Sequence, residues 1–258
     1  MRSDMPQNRF KRALASGTPQ IGLWMSLASP SATEAAAGAG FDWLLLDMEH
    51  SPNELPDIAH QLRAAEGGTA EPVVRVPWNE PVIVKRLLDV GARSLLFPFV
   101  QSAEEARRAV AATRYPPHGI RGFAGTTRAN RYGRVADYAK RSAEEICVLV
   151  QCETRKAVAD IPAIAAIDGI DGIFIGPADL AADVGHLANT QHPEVQAAIL
   201  DAGKRIRAGG KAPGFLSLRE DETRRVLDAG FLFVAVGTDV AVLARQSEAL
   251  VRAFKKGN

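Results

Sequence analysis

Cysteine and long apolar runs are both scarce in this sequence. The two cysteines, Cys147 and Cys152, lie in one short apolar segment. If that segment is a β-strand, their odd spacing directs them to opposite faces, so we do not expect a disulfide between them. No apolar stretch approaches the roughly 18 residues needed to cross a bilayer, and the first residues contain no apolar core of a signal peptide. We therefore expect a soluble, cytoplasmic protein with reduced thiols.

An excess of one charge is also absent. The chain has 31 lysine and arginine residues against 30 aspartate and glutamate residues, which gives a formal net charge of +1 at pH 7. Nucleic acids and acidic membrane surfaces select proteins with a strong, clustered basic charge. The balance therefore predicts no nucleic acid and no membrane as partner.

Short apolar runs alternate with helical patterns along the whole chain. A length of 258 residues, 47% of them apolar, suits one α/β barrel or two smaller domains. Most of the runs lack polar alternation, which is typical of parallel strands that are covered on both sides. The eight runs are residues 21–27, 43–48, 72–76, 94–100, 147–152, 172–175, 213–216 and 231–236.

Signals for helix starts follow several of these runs. A serine with a glutamate three residues later is a capping box, and such sequences begin at Ser31, Ser51, Ser102 and Ser217. The repeated unit of strand and helix predicts a (β/α)8 TIM barrel as a single domain over residues 1–258. An open doubly wound sheet is the alternative, but the glycine-rich turn that normally follows its first strand is absent.

One segment interrupts the pattern of strands and helices. Residues 115–141 contain a Pro-Pro pair and several glycines but no clear strand. Long loops inside compact domains are commonly functional. We expect this loop to leave the carboxyl end of the fourth strand–helix unit and to form an active-site loop.

The second predicted strand ends in the sequence Asp47-Met-Glu-His50. Barrel active sites lie at the carboxyl ends of strands, so these residues are candidates for chemistry. A carboxylate close to a histidine can hold the imidazole tautomer and raise its basicity, as a general acid or base requires. In the alternative, Asp47 or Glu49 caps the next helix and His50 is an ordinary surface residue.

The third predicted strand carries Arg75 within a buried apolar run. A buried guanidinium requires an anionic partner. Its parallel N–H groups match a substrate carboxylate, which they can grip with two hydrogen bonds. The alternative is a structural ion pair with a carboxylate of the barrel.

The fifth and sixth predicted strands end near carboxylates. Gln151 and Glu153 are two residues apart and therefore point to the same side of the fifth strand. Asp179 follows the sixth strand near a helix start, where aspartate is also a favoured cap. Two carboxylates on neighbouring strands suit Mg²⁺ or Mn²⁺, because these ions prefer hard oxygen ligands.

Several segments together resemble the HpcH/HpaI aldolases, a family of metal-dependent pyruvate aldolases. The resemblance extends from about residue 20 to the carboxyl terminus and rests on residues 21–24, 38–53, 73–75, 112–122, 151–155 and 172–180. It implies a (β/α)8 barrel that reversibly cleaves 4-hydroxy-2-keto acids. The implied products are an aldehyde and pyruvate, with hydroxypyruvate as an alternative to pyruvate.

The resemblance also implies a role for each candidate residue. Glu153 and Asp179 are the expected ligands of a divalent metal, Mg²⁺ or Mn²⁺, with Co²⁺ as a further candidate. His50, paired with Asp47, is expected to take the proton from the 4-hydroxyl group, and Arg75 to stabilise the enolate oxygen. No lysine ends a predicted strand, so the enolate needs a metal and not a Schiff base. The residues expected to contact pyruvate or the aldehyde are Arg75, Gln151, Gly176, Pro177, Ala178, Trp24 and Leu216.

Neighbouring subunits are expected to complete each site, because members of the family assemble as trimers or hexamers. Asp89 is the residue expected to reach into a neighbour's site. The stretch at 121–133 departs from the family pattern, and Phe123 within it is expected to face the aldehyde, which favours a relaxed range of acceptors. Two alternatives remain open: a citryl- or malyl-type CoA-thioester lyase, and a non-catalytic barrel that binds 2-keto acids.

Overall fold

Eight parallel strands form a closed barrel. The computed structural model describes residues 4–255; the predicted domain also includes residues 1–3 and 256–258, which lie outside the described part. Each strand pairs with the next one along the chain, and the last pairs with the first, which confirms the predicted (β/α)8 barrel. The strands are β1 (Gln20–Met25), β2 (Trp43–Asp47), β3 (Glu71–Arg75), β4 (Ser94–Phe97), β5 (Cys147–Cys152), β6 (Gly172–Ile175), β7 (Ala212–Leu216) and β8 (Phe233–Thr238).

Helices alternate with the strands and cover the outside of the barrel. Among residues 4–255, none of them combines the length and the apolar character that a bilayer crossing requires. A single 3-10 turn at Ala65–Gly67 extends the third helix. The helices are α1 (Arg9–Ala15), α2 (Pro30–Ala37), α3 (Leu55–Ala64), α4 (Pro81–Asp89), α5 (Ala103–Thr113), α6 (Tyr138–Glu145), α7 (Arg155–Ala159), α8 (Ile161–Ala165), α9 (Pro177–Asp183), α10 (Pro193–Ala208), α11 (Glu220–Asp228) and α12 (Asp239–Phe254).

One of the four predicted capping sequences begins its helix at the predicted serine. The Ser102 hydroxyl accepts a hydrogen bond from the backbone N–H of Glu105 at the start of α5. The caps of α2, α3 and α11 are Ser29, Glu54 and Arg219 instead. In α2 and α3 a proline lies at the first or second helical position and sets the start, because its fixed φ suits that place and it needs no N–H partner there.

Side chains alternate along each strand between two separate apolar layers. In β5, Cys147 and Leu149 lie in the inner layer, whereas Val148, Val150 and Cys152 lie between the strands and the helices. The two cysteines are therefore buried on opposite sides of the strand, as predicted, and both are free thiols. The same alternation aims the next inward residues of the strands into the carboxyl end of the barrel, which we call the mouth.

The opposite end of the barrel is filled by α1. Phe10 is fully buried, and its ring centroid lies 5.6 Å from that of Trp43 and 5.9 Å from that of Phe233. Leu14, one turn later, joins the same inner layer. The buried polar side chains at this end are bound locally: Asn8 Nδ2 donates to Ser94 Oγ, and Arg9 Nε donates to Glu71 Oε1.

The long segment after α5 lies at the amino ends of the strands and not at the mouth. α5 runs back from the end of β4 to the start of β5, so residues 114–137 lie beneath the barrel. There, Arg128 Nη1 donates to the carbonyl oxygen of Val90, and the N–H of Ala129 donates to that of Asp89. The prediction of an active-site loop at the mouth is therefore wrong for its own barrel, because this segment joins a helix to a strand and not a strand to a helix.

The last helix leaves an apolar face uncovered. Of the 16 residues of α12, Asp239 is buried. Leu243, Leu250 and Phe254 are 58%, 61% and 83% exposed. Exposed apolar patches of this kind mark interaction surfaces.

The inner layer depends on glycine where strands meet large rings. A Cβ atom at Gly22 would lie 2.3 Å from the fully buried indole of Trp43. We expect Gly22→Ala to lower the free energy of unfolding by ~1–3 kcal/mol, because the closed barrel leaves the ring little room to move. Gly67→Ala is the matched control, since a Cβ there meets nothing within 4 Å. Urea unfolding of both variants tests this, and equal midpoints would contradict it.

Candidate active site

Four polar side chains lie at the carboxyl ends of β2, β3 and β5 and point into the mouth of the barrel. Asp47, Arg75, Gln151 and Glu153 are 1%, 6%, 2% and 2% exposed. Asp47 and Arg75 are direct neighbours in the register between β2 and β3. The strand alternation therefore brings together four of the residues that were predicted from the sequence.

Arg75 forms a bidentate ion pair with Asp47. Arg75 Nε lies 2.8 Å from Asp47 Oδ1, and Arg75 Nη2 lies 2.7 Å from Asp47 Oδ2. Burial would raise the pKa of Asp47, but the hydrogen bonds and the charge of Arg75 outweigh burial, and the pKa is lowered. The carboxylate of Asp47 is thus a permanent anion that fixes the orientation of the guanidinium. The structural ion pair, which was the alternative role predicted for Arg75, is present. The N–H groups of Arg75 that do not bind Asp47 remain available to a substrate.

Trp24 supports this ion pair from below. The guanidinium carbon of Arg75 lies 4.7 Å from the centroid of the Trp24 ring, and Trp24 Nε1 donates to Asp47 Oδ2 at 3.2 Å. Trp24 is only 4% exposed. Its ring holds Arg75 in place, and its predicted contact with a substrate stays a prediction.

His50 lies at the rim of the mouth, and its side chain is not paired with Asp47. The side chain is 67% exposed, and the carboxylate oxygen within reach of its Nε2 is Glu49 Oε2, at 4.0 Å. Asp47 Oδ1 accepts hydrogen bonds from the backbone N–H groups of Glu49 and His50, at 3.0 and 3.5 Å. The expected pairing of the two side chains is therefore corrected: Arg75 occupies the carboxylate of Asp47, and the imidazole is exposed at the rim beside Glu49.

Glu153 is held in place by two hydrogen bonds. Its Oε1 accepts from the backbone N–H of Phe99 at 2.9 Å, and its Oε2 accepts from Gln151 Nε2 at 2.6 Å. Phe99 adopts the left-handed backbone conformation, with φ of 54°, directly after β4. This conformation costs energy in a residue with a bulky side chain. Among residues 4–255, the buried Oε1 of Gln151 has no hydrogen-bond partner.

The exit from β6 is shaped around Glu153. A Cβ atom at Gly176 would lie 2.3 Å from Glu153 Oε2, so any other residue would displace the carboxylate. Gly176 caps α9, and Pro177 begins that helix. Asp179 lies in the first turn of α9 and is exposed. The predicted contacts of substrate with the backbone from Gly176 to Ala178 stay a prediction.

Carboxylates accumulate at this mouth. Burial raises the pKa of Glu153 to about 7, and the charges of Asp179 and Glu49 raise it as well, against the hydrogen bonds from Gln151 and Phe99. The pKa of Glu49 is also raised, mainly by burial and further by Asp47 and Asp179, against the opposite effect of Arg75 and His50. A mouth in which carboxylates raise one another's pKa is suited to a cation.

Glu49 is the functional candidate that the sequence pattern did not single out. Its Oε2 lies 2.7 Å from Arg75 Nη1 without forming an aligned hydrogen bond. Its spacing of two residues from Asp47 was the available signal, since that spacing keeps two side chains on one side of an extended chain. The alternative role of Glu49 as a helix cap is wrong, because α3 is capped by Glu54.

Three other predicted residues lie in different places. Leu216 ends β7 and packs, partly buried, against the inner layer, which agrees with a place on the pocket wall. Asp89 ends α4 near the amino ends of the strands, where its Oδ1 lies 2.8 Å from Arg121 Nη2. Phe123 is 67% exposed and contacts Tyr115 in the same region. Asp89 and Phe123 therefore cannot line the mouth of their own barrel.

A second group of metal-ligating side chains lies between α9 and α10. His186, His192 and Glu194 bring their donor atoms within 4.8 Å of one another. The imidazole rings are stacked, with centroids 3.4 Å apart, and His192 Nδ1 accepts the backbone N–H of Glu194. Parallel rings do not aim two nitrogen lone pairs at one point, so this group is less suited to a cation than the carboxylates of the mouth.

The chain is similar to known proteins over nearly its full length. Residues 20–245 match the family described as HpcH/HpaI aldolase/citrate lyase. A 4-hydroxy-2-oxo-heptane-1,7-dioate aldolase from Klebsiella pneumoniae subsp. pneumoniae is 57% identical over 248 residues, which cover 96% of this chain and 94% of the relative.

Solved structures of the same family have the same fold. A HpcH/HpaI aldolase/citrate lyase family protein from Burkholderia cenocepacia J2315 matches with a TM-score of 0.92 and 42% identity, covering 97% of this chain and 100% of that one. A HpcH/HpaI aldolase from Desulfitobacterium hafniense DCB-2 matches with a TM-score of 0.90 and 29% identity, covering 98% of each chain.

The raised pKa of Glu153 predicts that the protein without a bound cation loses stability as the pH rises. The folded state keeps the Glu153 proton up to about pH 7, whereas the unfolded chain releases it near the ordinary value of 4.5. Between these values the folded state binds more protons, so the free energy of unfolding falls with increasing pH, by up to ~3 kcal/mol.

A chelating resin first removes metal ions from the protein (resin-treated protein). Its denaturant unfolding, from about pH 4.5 to about pH 8, measures this effect. We expect Glu153→Gln to remove this part of the pH dependence. Glu104→Gln, at an exposed glutamate of α5, should leave the profile unchanged. Parallel profiles for wild type and Glu153→Gln would contradict a raised pKa at this carboxyl group.

Proposed function

Because the chain belongs to the HpcH/HpaI aldolase/citrate lyase family, we propose that it reversibly cleaves 4-hydroxy-2-keto acids to pyruvate and an aldehyde. The high sequence identity that it shares with aldolases over nearly its full length shows that it is an aldolase, which is a carbon–carbon lyase. The identity of the substrate is our proposal. Its support is the mouth of the barrel, where a buried carboxylate, a buried amide and a fixed guanidinium converge.

A divalent cation fits the residues of this mouth. Glu153 and Asp179 would hold it, with Mg²⁺ or Mn²⁺ as the expected ion and Co²⁺ as a further candidate. The observation that carries the proposal is Glu153: it is buried, its pKa is raised to about 7, and Asp179 and Glu49 add to that effect. The unpartnered Oε1 of Gln151 adds a further hard oxygen in the same place. When bound, the cation supplies a Lewis acid that polarises the keto group.

Arg75 has a defined part in the cleavage. Its guanidinium cannot turn away, because Asp47 grips it through two N–H groups and Trp24 lies under it. A fixed positive charge stabilises the negative charge that develops on the keto oxygen as the C–C bond breaks. The guanidinium is already oriented in the folded protein, so orienting it does not add to the activation barrier of the cleavage.

His50 is the proposed base for the 4-hydroxyl group. Its imidazole is exposed at the rim, with Glu49 Oε2 at 4.0 Å from its Nε2. It can therefore follow the hydroxyl of a substrate held at the mouth and take its proton, which releases the aldehyde. In the direction of synthesis the same group returns the proton.

The aldehyde partner is not restricted by a long loop of the same chain. The segment at 114–137 lies beneath the barrel, so within one subunit an acceptor at the mouth meets strand ends and the short segments that follow them, with Leu216 as one such residue. This arrangement supports a relaxed acceptor range, with pyruvate and hydroxypyruvate as candidate donors. The CoA-thioester lyase and the non-catalytic barrel are not favoured, because the near full-length relatives are aldolases.

Removal of the cation tests the proposed function. Resin-treated protein should release no pyruvate from a 4-hydroxy-2-keto acid, and added Mg²⁺ or Mn²⁺ should restore the release in wild type. In Glu153→Gln we expect kcat/KM to stay lower by about 100-fold or more, since an amide is a poorer cation ligand than a carboxylate. Glu104→Gln, on the outer face of α5, should behave as wild type.

Each outcome of this assay bears on a separate statement. Full activity without any cation would overturn the metal-dependent mechanism. Cation-restored activity that is equal in wild type and Glu153→Gln would move the metal to other residues. No pyruvate release by any form, with the protein folded, would overturn the proposed substrate.

We further propose that the protein is a homo-oligomer, a trimer or a hexamer. The support is α12, whose apolar residues are exposed along its whole length in a single chain. A second copy is the partner that is always present with such a surface. It would also allow Asp89 and Phe123, at the amino ends of the strands, to meet the mouth of a neighbour.

A charged residue on α12 should lower the molecular mass in solution. We expect Leu243→Glu to shift the mass measured by light scattering toward that of a single chain, because a buried charge without a partner destabilises an apolar interface. Leu187→Glu is the matched control, at a leucine that is 79% exposed on another part of the surface. An unchanged assembly in Leu243→Glu would place the interface elsewhere.

A further inference from the structure

A large cavity lies at the end of the barrel opposite to the mouth. It occupies about 690 Å³ beneath the starts of β3, β4 and β5, and the segment at 128–134 forms one side of it. That volume is in the range of sites for small organic ligands. None of the residues assigned to the mouth lines it.

Arginine dominates the charged residues of this cavity. Six arginines line it against three glutamates. Glu71 already pairs with Arg9 and Arg93, and Glu66 with Arg128. The six arginines are Arg9, Arg63, Arg93, Arg128, Arg131 and Arg134.

The third glutamate is also neutralised. Glu145 receives the guanidinium of Arg12, from outside the cavity lining, and the backbone N–H of Asn8. Within the described ranges of the chain, Arg63, Arg131 and Arg134 have no acidic partner within 4.0 Å. The cavity is therefore left with uncompensated positive charge.

Arg128 lies close to Arg63 and Arg93 in the wall of the cavity. Arg128 packs against Gly91, where a Cβ atom would lie 2.5 Å from Arg128 Nη1, and Gly91 has φ of +100°. Burial lowers the pKa of Arg128, and the charges of Arg63 and Arg93 lower it further, against the effect of Glu66. Arg128 and Arg93 each have a glutamate partner, but Arg63 has none among residues 4–255, so an anion beside these guanidinium groups would be stabilised.

The turn that carries Arg131 is held in an uncommon conformation. Arg131 and Tyr132 both have positive φ, at 53° and 58°. The side chain of Asn130, which is 6% exposed, holds the turn by accepting the N–H groups of Thr127 and Gly133. Strained backbone that is fixed by buried hydrogen bonds is typical of functional sites.

From these contacts we propose that the cavity is a binding site for a small multivalent oxyanion, at the opposite end of the barrel from its own catalytic mouth. Guanidinium groups bind carboxylate and phosphate oxygens through pairs of parallel N–H groups. Several such groups around one cavity select ligands with more than one negative charge. Two sources share this chemistry, inorganic phosphate and a dicarboxylate such as succinate. Because residues of 128–134 form one wall, a bound anion would tie that segment to the base of the barrel.

Titration calorimetry on the intact, resin-treated protein tests the site, with phosphate and succinate in separate experiments at constant ionic strength. We expect saturable binding of at least one of them. Arg63→Gln and Arg131→Gln should each weaken it by about tenfold or more, because each removes a charged hydrogen-bond donor. Neither side chain has an ion pair to lose, so both variants should fold, which thermal unfolding without ligand checks.

Two control variants distinguish binding in the cavity from binding at the mouth or on the outer surface. Arg207→Gln, at an exposed arginine of α10 outside the cavity, should bind as wild type. Glu153→Gln should also bind as wild type, so the outcome is independent of the proposed catalytic function. The proposal is overturned if neither anion binds, if the two cavity variants bind as well as wild type, or if Glu153→Gln abolishes binding.

Discussion

The closed ring of parallel strands imposes one constraint on this molecule from which much else follows. Every second side chain of each strand points into the barrel, so each strand contributes a column of inward side chains. Each column runs from the amino end of the barrel to the mouth. At the amino ends, Phe10 and Leu14 of α1 fill the space. Polar side chains occur at both ends of the inward positions: at the amino ends Glu71 is paired with Arg9 and Arg93, whereas at the carboxyl ends such side chains meet water, a substrate or one another. Asp47 and Arg75 are register neighbours on adjacent strands, so their ion pair is a direct product of barrel closure.

Negative charge is in excess at the mouth, because Arg75, the buried cation there, is paired with Asp47. Arg75 neutralises Asp47, and the pKa values of Glu49 and Glu153 are raised by burial and further by the charge of Asp179. A chain selected only for stability would not retain a buried carboxylate with a pKa near 7. The arrangement costs folding energy in the absence of a cation and becomes favourable when one is bound. Stability and catalysis thus oppose each other at the same few atoms.

The two ends of the barrel carry opposite charge, which the near-zero net charge conceals. Carboxylates collect at the mouth, and arginines collect at the base around the segment at 128–134. A formal charge of +1 is an average over both ends. Such an average could not reveal a local excess. Only the folded chain brings arginines from α1, α3 and the segment before α6 around one cavity.

The sequence by itself determined the number, order and approximate bounds of the strands, because their apolar runs are local. It also determined which residues face inward: the two-residue period placed Gln151 with Glu153, and it separated Cys147 from Cys152. The tertiary structure alone decided the partners of the charged groups, as with Asp47, which binds Arg75 and not His50. It also decided which end of the barrel receives the long segment after α5. Periodicity specifies the face of an element on which a residue lies, whereas charge pairing and loop position depend on residues brought close only by the closed fold.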